Sequence, residues 1–288
     1  MIEGVKKVGV VGAGTMGSGV AQTFAAAGYE VRLQDIAEAP LGRGFGAIKK
    51  SLERLVARGK LAAEARDAAL KRIAPTTKID DLADCDVIVE AALERFDVKK
   101  AVIENLDRVC RSDAILATNT SSISVTRIAA ASKNPGRVIG MHFFNPVPVM
   151  QLIEIIRALQ TTDATSEKIV ALSKDIGKAP KVAKDSYGFV VNRVLVPMIN
   201  EAINCVQEGL APAKDVDEMM KLGANHPMGP LALADLIGLD IVLEIMETLY
   251  SGFEDDKYRP SLLLKQMCDA GYLGRKSGRG FFSYPAAA

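Results

Sequence analysis

The stretch MHFFNPVPVMQLIEII, Met141 to Ile156, places a histidine, His142, twelve positions before a carboxylate, Glu154, that stands inside an otherwise apolar run. An imidazole of ordinary basicity can take a proton from an alcohol near neutral pH and return it, the task of a general base in alcohol oxidation. If the run is a strand, alternation puts Glu154 on one face with Met150, Leu152 and Ile156, and a buried carboxylate there needs a partner. Held on one ring nitrogen of His142, it would orient the ring and balance the imidazolium, leaving the other nitrogen for a substrate. A structural histidine beside an independently paired glutamate is the alternative, and these two positions alone leave both open.

A second constellation lies near the start of the chain. VVGAGTMGSG supplies Gly12, Gly14 and Gly17 in G-x-G-x-x-G spacing, with Thr15 and Met16 between the last two, directly after an apolar strand and opening a helix. Glycines permit the tight turn and close backbone approach that a pyrophosphate requires, and the helix N-terminus offers it unpaired N–H groups. Asp35 ends the next apolar run, 23 residues after Gly12, where a carboxylate accepts the hydroxyls of a ribose. A 2′-phosphate would meet that carboxylate unfavourably. Arg32 points to the other side of the strand by alternation, and Ile36 and Ala37 offer no cation, so the pattern favours NAD over NADP.

The elements that must position these residues are visible as periodicity. From Lys7 to about Ile156, short apolar runs (KVGVVG, EVRLQD, DVIVEA, AILATN, RVIGMHFF) alternate with helical patterns, which predicts a parallel sheet covered on both faces, a doubly wound α/β domain. It places His142 just past a strand end, where open α/β sheets bind ligands. After KVAKDSYGF the patterns are helical, at Val190–Gln207, Val216–Leu222, Leu231–Leu249 and Leu262–Ala270, broken by GANHPMGP and FEDDKYRP. The expected division is therefore 1–187, α/β, and 188–288, all-α. With 288 residues, 49% of them hydrophobic, two cores are affordable. The 36 basic and 35 acidic residues nearly cancel, so no global field argues for nucleic acid or a membrane surface. Cys85, Cys110, Cys205 and Cys268 form no CxxC pair and read as free thiols; with a strand pattern beginning almost at the first residue, a cytoplasmic, metal-free protein is expected.

GAGTMGSGVAQ, VIVEAALERFDVKK, ATNTSSISVTRIA, MHFFNPVPVMQLIEII, KDSYGFVVNRVLVPMINEA, MKLGANHPMGPLALADLIGLD and GRKSGRGFFSY resemble, in order, the signature segments of the 3-hydroxyacyl-CoA dehydrogenases over nearly the whole chain. The resemblance implies a Rossmann-like N-terminal domain, a helical C-terminal domain that pairs subunits into a homodimer, NAD as cofactor and a CoA thioester as substrate, with the short-chain 3-hydroxybutyryl-CoA enzymes nearest in size. It implies that His142 and Glu154 are the catalytic pair and that Ser121 and Asn192 hydrogen-bond the substrate oxygens. It also implies further cofactor contacts at Glu94, Lys99, Asn119, Ser121, Asn145 and Lys276. Lys50, Arg54 and Arg58 stand at i, i+4 and i+8. Such a stripe is ordinarily a solvated face, but the resemblance sets it, with Ser51, against the CoA phosphates. His226, between Asn225 and Pro227, reads as a turn residue. Two rivals stay open: a related dehydrogenase of free hydroxy acids or sugar acids, and a recruited nucleotide-binding structural protein of the crystallin kind.

Overall fold

The computed structural model describes residues 1–285. The chain divides after Ser186 into two compact units. In the first, the strands are β1 (Lys7–Val11), β2 (Glu30–Gln34), β3 (Ile73–Thr76), β4 (Val87–Glu90), β5 (Ile115–Thr118), β6 (Val138–Phe143), β7 (Leu152–Arg157) and β8 (Ala179–Lys184). The helices are α1 (Thr15–Ala26), α2 (Glu38–Ala57), α3 (Ala63–Lys71), α4 (Phe96–Val109), α5 (Val125–Ala129) and α6 (Asp163–Asp175). The strands form one sheet in the order β3-β2-β1-β4-β5-β6-β7-β8. Chain order reverses between β1 and β4, the point at which doubly wound sheets open a ligand crevice beyond the strand ends.

The central strands read as continuous apolar runs because both faces are covered. All four residues of β4 and of β5 and all six of β6 are buried. Val20, Ala21, Phe24 and Ala25 of α1 and Leu41, Ile48 and Leu52 of α2 pack into the same core as Val8, Val10, Val31 and Leu33. The buried positions of α2 recur at helical spacing and leave Lys50 and Arg54 on its exposed side.

Three features depart from the sequence reading. The sheet is not wholly parallel: β6 and β7 are antiparallel, because residues 144–151 are too few for the crossover that parallel neighbours need. The alternation also continues past Ile156, through α6 to β8, an edge strand in parallel register with β7. Its exposed lysines and Pro180 suit a sheet edge and hide the apolar signal of a central strand. Finally, His142 lies inside β6, one residue before its end, rather than beyond it.

The second unit begins at Tyr187. It contains α7 (Val191–Gln207), α8 (Ala213–Ala224), α9 (Pro230–Ile237), α10 (Leu239–Phe253) and α11 (Leu262–Asp269) around Val196, Ile199, Ile203, Leu239, Val242, Met246 and Leu249. The single pattern read over Leu231–Leu249 is two helices, parted by Gly238 at φ +106°, a conformation that ends α9 and costs glycine little. Buried Asp217 accepts the N–H groups of Leu231 and Ala232 at 2.8 and 2.9 Å and so caps α9 from α8.

Arg137 pins the start of β6. Its guanidinium is buried, ion-paired with Asp107 of α4 and bonded to the Ala114 carbonyl at 3.1 Å. Burial alone would raise the Asp107 carboxyl, but hydrogen bonds from Arg137, Lys133 and Ser132 outweigh it and hold it below the usual range. A depressed folded-state pKa stabilises the fold above the unfolded value of about 3.9 and loses that contribution as pH falls through the depressed value. Asp107→Ala should therefore cost about 3–5 kcal/mol in urea unfolding at neutral pH, as for a buried charge stripped of its partner, with the gap to wild type closing in acid. Arg137→Met/Asp107→Leu should cost less than the single change. A loss under about 1 kcal/mol for Asp107→Ala would contradict this role.

Candidate active site

At the β1–α1 turn each glycine answers a different steric demand. Gly12, at φ +97°, has no room for a side chain: a Cβ would lie 2.5 Å from the Ala91 carbonyl oxygen just beyond β4. At Gly17 a Cβ would lie 1.8 Å from the Gly12 oxygen, so this glycine lets α1 close on the turn. Gly14 faces open space and serves as an N-cap without a side-chain acceptor. The first N–H groups of α1, at Thr15, Met16 and Gly17, are thus left to a ligand that can approach the backbone. Asp35, one residue past β2, accepts the Ala13 N–H at 2.7 Å through Oδ2 and the Ile36 N–H at 2.8 Å through Oδ1. Each oxygen keeps a second acceptor site, enough for a ribose diol. Arg32 lines a separate groove with Asp80 and Asp84. Open approach at Gly14, an uncapped helix and a fixed carboxylate fit a dinucleotide without a 2′-phosphate.

The antiparallel register sets His142 directly opposite Glu154, and Nδ1 of the imidazole lies 2.8 Å from Oε2 of the carboxylate. Both side chains are buried, at 6% and 2% exposure. A carboxylate only accepts, so Nδ1 carries the proton and Nε2 is the nitrogen suited to exchange one with an oxygen of a substrate. The Phe144 ring packs on the imidazole, 4.5 Å between centroids. Asn119, just past β5, is buried and accepts the Phe143 N–H at 2.9 Å through Oδ1, fastening β5 to β6 beside His142.

The segment Thr118–Ser122 is held from below by two carboxylates and one ammonium. Glu90, fully buried, accepts from Thr118 Oγ1 at 2.7 Å and from Lys99 Nζ at 2.9 and 3.1 Å. Glu94 Oε1 accepts from Thr120 Oγ1 at 2.6 Å and from the N–H groups of Ser121 and Ser122 at 2.8 and 3.1 Å. Lys99 reaches its other oxygen at 3.2 Å. Burial would raise the Glu94 carboxyl, yet Lys99 and these donors hold it below its ordinary value. Lys99 itself is 1% exposed, so any part it has in a cofactor site passes through Glu94.

Two supporting residues carried no pattern in the sequence. Glu90 closes an apolar run and resembles a strand-end residue. Lys178 precedes the edge strand; its buried ammonium donates to the carbonyls of Val147 and Met150 at 2.6 and 2.7 Å, and burial pushes its pKa down. It thereby ties down the loop that joins His142 to Glu154. Val147 packs against α1 as well, where a Cβ on Gly19 would come within 2.8 Å of it. The only advance signal is a lysine among apolar neighbours before a strand, which any solvated edge shares.

The remaining sites fall into three groups. Asn145 is exposed on the 144–151 loop. Lys50 and Arg54 line a groove on α2 with Ala47, Glu53 and Ala57, without an ion pair among the described residues; Ser51 is half-buried and Arg58 is the C-cap of the helix. In the second unit, Asn192 lies in the first turn of α7, while Lys276, in the Arg275–Ser277 turn, is ion-paired with Asp240. His226 follows Asn225, whose φ of +55° ends α8. The four cysteines are free thiols, and burial pushes Cys85 up to about 12 and Cys110 up to about 11. No cluster of potential metal ligands occurs among the described residues, and none of their helices is long and apolar enough to cross a membrane.

A doubly wound α/β unit with an open glycine turn and a buried histidine–carboxylate pair on β6 and β7, followed by a helical unit, has the makeup of a dehydrogenase. Comparison with known proteins narrows this class. Residues 7–186 match the NAD-binding domain of 3-hydroxyacyl-CoA dehydrogenase, and residues 188–284 match its C-terminal domain. The chain is 49% identical over 278 residues to 3-hydroxybutyryl-CoA dehydrogenase of Clostridioides difficile, covering 96% of this chain and 99% of that one. The Bradyrhizobium diazoefficiens enzyme of the same name is 49% identical over 283 residues, covering 98% and 97%. A crystal structure of (S)-3-hydroxybutyryl-CoA dehydrogenase from Ralstonia eutropha superposes with a TM-score of 0.95 at 51% identity, covering 98% of this chain and 99% of that one. The chain belongs to the 3-hydroxyacyl-CoA dehydrogenase family.

The glycine turn yields a direct test. Gly17→Ala forces a methyl against the Gly12 carbonyl and should weaken NADH binding at least about tenfold in a fluorescence titration if this turn cradles the pyrophosphate. Unchanged affinity would show that the turn has slack.

Proposed function

We propose that this chain is an NAD-dependent (S)-3-hydroxyacyl-CoA dehydrogenase that interconverts a 3-hydroxyacyl-CoA and a 3-oxoacyl-CoA, with 3-hydroxybutyryl-CoA and acetoacetyl-CoA as the pair. The observation that carries the mechanism is the buried 2.8 Å bond between His142 and Glu154. In oxidation, Nε2 of His142 takes the C3 hydroxyl proton while Glu154 keeps the ring oriented and balances the imidazolium; in reduction the same proton returns. Bound NAD supplies the acceptor for the hydride that leaves C3. Residues 12–17 would cradle its pyrophosphate and Asp35 its adenine ribose, with Glu94, Asn119, Asn145 and Lys276 as further contacts. Ser121 and Asn192 would fix the substrate oxygens, and Lys50, Ser51, Arg54 and Arg58 would serve the CoA phosphates, where the exposed cations Lys50, Arg54 and Arg58 suit a charged handle. We infer a cytoplasmic homodimer with no nucleic-acid partner, paired through the second unit, where Leu210, Met219 and Leu222 are 76, 63 and 83% exposed.

Steady-state oxidation of NADH with acetoacetyl-CoA, free acetoacetate and a longer 3-oxoacyl-CoA tests the proposal. Acetoacetyl-CoA should be turned over with kcat/KM at least about a hundredfold above the free acid, and NADH should exceed NADPH at least about tenfold because Asp35 repels a 2′-phosphate. Preference for the free acid would move the chain to the hydroxy-acid dehydrogenases, and no turnover at all would leave a structural role.

A further inference from the structure

The Lys99 ammonium stands between two carboxylates that face different parts of the same segment. Glu90, from β4, holds Thr118; Glu94, just beyond β4, holds residues 120–122. Beside the two backbone N–H groups and Thr120, the hydroxyls of Ser121 and Ser122 lie 3.3 and 3.2 Å from the same Glu94 oxygen. These contacts are longer than those from Thr120 Oγ1 and the Ser121 and Ser122 N–H groups, at 2.6, 2.8 and 3.1 Å, which therefore set the turn. Glu94 therefore organises the 120–122 turn and with it the position of Ser121.

We propose that Lys99 is a positioning residue for the reaction: its ammonium holds the Glu94 carboxylate in place, and that carboxylate shapes residues 120–122 so that Ser121 presents its hydroxyl to the substrate. The proposal rests on the reading of Ser121 as a substrate contact. The ionisable groups set against Glu94 among the described residues are Lys99, from α4, and Glu90 behind it; the neighbouring Arg95–Asp97 pair is exposed. With the ammonium in place Glu94 stays ionised through the neutral range. Without it, the buried Glu90 carboxylate and the partly exposed Glu94 carboxylate lose the cation they share, and the cost of charge is relieved when Glu94 takes up a proton. A protonated Glu94 loses acceptor strength toward the Ser121 and Ser122 N–H groups, and the turn loosens.

The sign of the effect follows. Loss of Lys99 raises the Glu94 pKa, so activity should fall as pH drops through the raised value and recover above it. Lys99→Met should show kcat with acetoacetyl-CoA and NADH reduced at least about tenfold at pH near 6, approaching wild type toward pH near 9, an acid limb that the wild type lacks. Glu94→Gln, which cannot ionise, should lose a similar factor with no added pH dependence. NADH affinity by fluorescence titration should change less than kcat in both. If Lys99→Met fails to fold, Lys99→Met/Glu90→Gln removes the buried charge together with one partner, and it should fold and run without the acid limb. A folded Lys99→Met with the wild-type pH profile, or a Glu94→Gln of wild-type kcat, would overturn the proposal. Wild-type inactivity toward acetoacetyl-CoA would instead overturn the functional reading on which it rests.

Discussion

A carboxylate buried within a sheet must be paired, and the rest of the structure is arranged around that constraint. Glu154 sits at 2% exposure in a strand whose neighbours are apolar, and the free energy of an isolated charge there is prohibitive. Its partner is fixed by strand register. Because β6 and β7 run antiparallel with His142 opposite Glu154, a slip of one residue would turn both side chains to opposite faces and leave two buried polar groups without each other. The surroundings suppress such a slip. Arg137 locks the start of β6, Asn119 holds the Phe143 N–H at its end, and Lys178 fastens the connecting loop.

The same register brings the His142–Glu154 pair to the side of the sheet that carries the glycine turn. Strands β1, β4, β5 and β6 are mutually parallel, so Gly12, Ala91, Asn119 and His142 all lie at or beyond carboxyl ends on one side of the sheet. The antiparallel turn into β7 returns Glu154 to that level from the other direction. Open α/β sheets bind ligands along this edge because the loops there are free to vary while the strands hold them in place. Here the loops carry charges that water would otherwise screen. Glu90, Glu94 and Lys99 form a small ionic network whose cost of burial is offset only if every member is satisfied, and each of them has its partners within 3.2 Å.

Legibility followed the range of the interactions. The glycine turn could be read because its requirements are local: spacing, a preceding apolar run and an acid at the end of the next strand. His142 and Glu154 could be paired on paper because a histidine and an isolated glutamate were conspicuous among apolar neighbours, and the family resemblance then chose between the open readings. The antiparallel junction was not anticipated, since an apolar run reports burial and not direction. β8 was missed because edge strands bear lysine and proline by design, and the break at Gly238 because a glycine between two helices preserves their apolar period. Glu90 and Lys178 were beyond reach for a different reason. Their partners lie far along the chain, and nothing in one dimension distinguishes a buried lysine that donates to two carbonyls from a solvated one.

The central claim is that His142 and Glu154 act as one unit in proton transfer. A double-mutant cycle in kcat/KM with acetoacetyl-CoA tests it most directly, using His142→Ala, Glu154→Gln and the combined variant beside thermal melts of all four proteins. His142→Ala should lower kcat by on the order of a hundredfold to ten-thousandfold. The combined variant should be little worse, because once the base is gone its orienting partner has nothing to orient. Losses that add within about 0.5 kcal/mol would contradict the account and return Glu154 to a purely structural carboxylate.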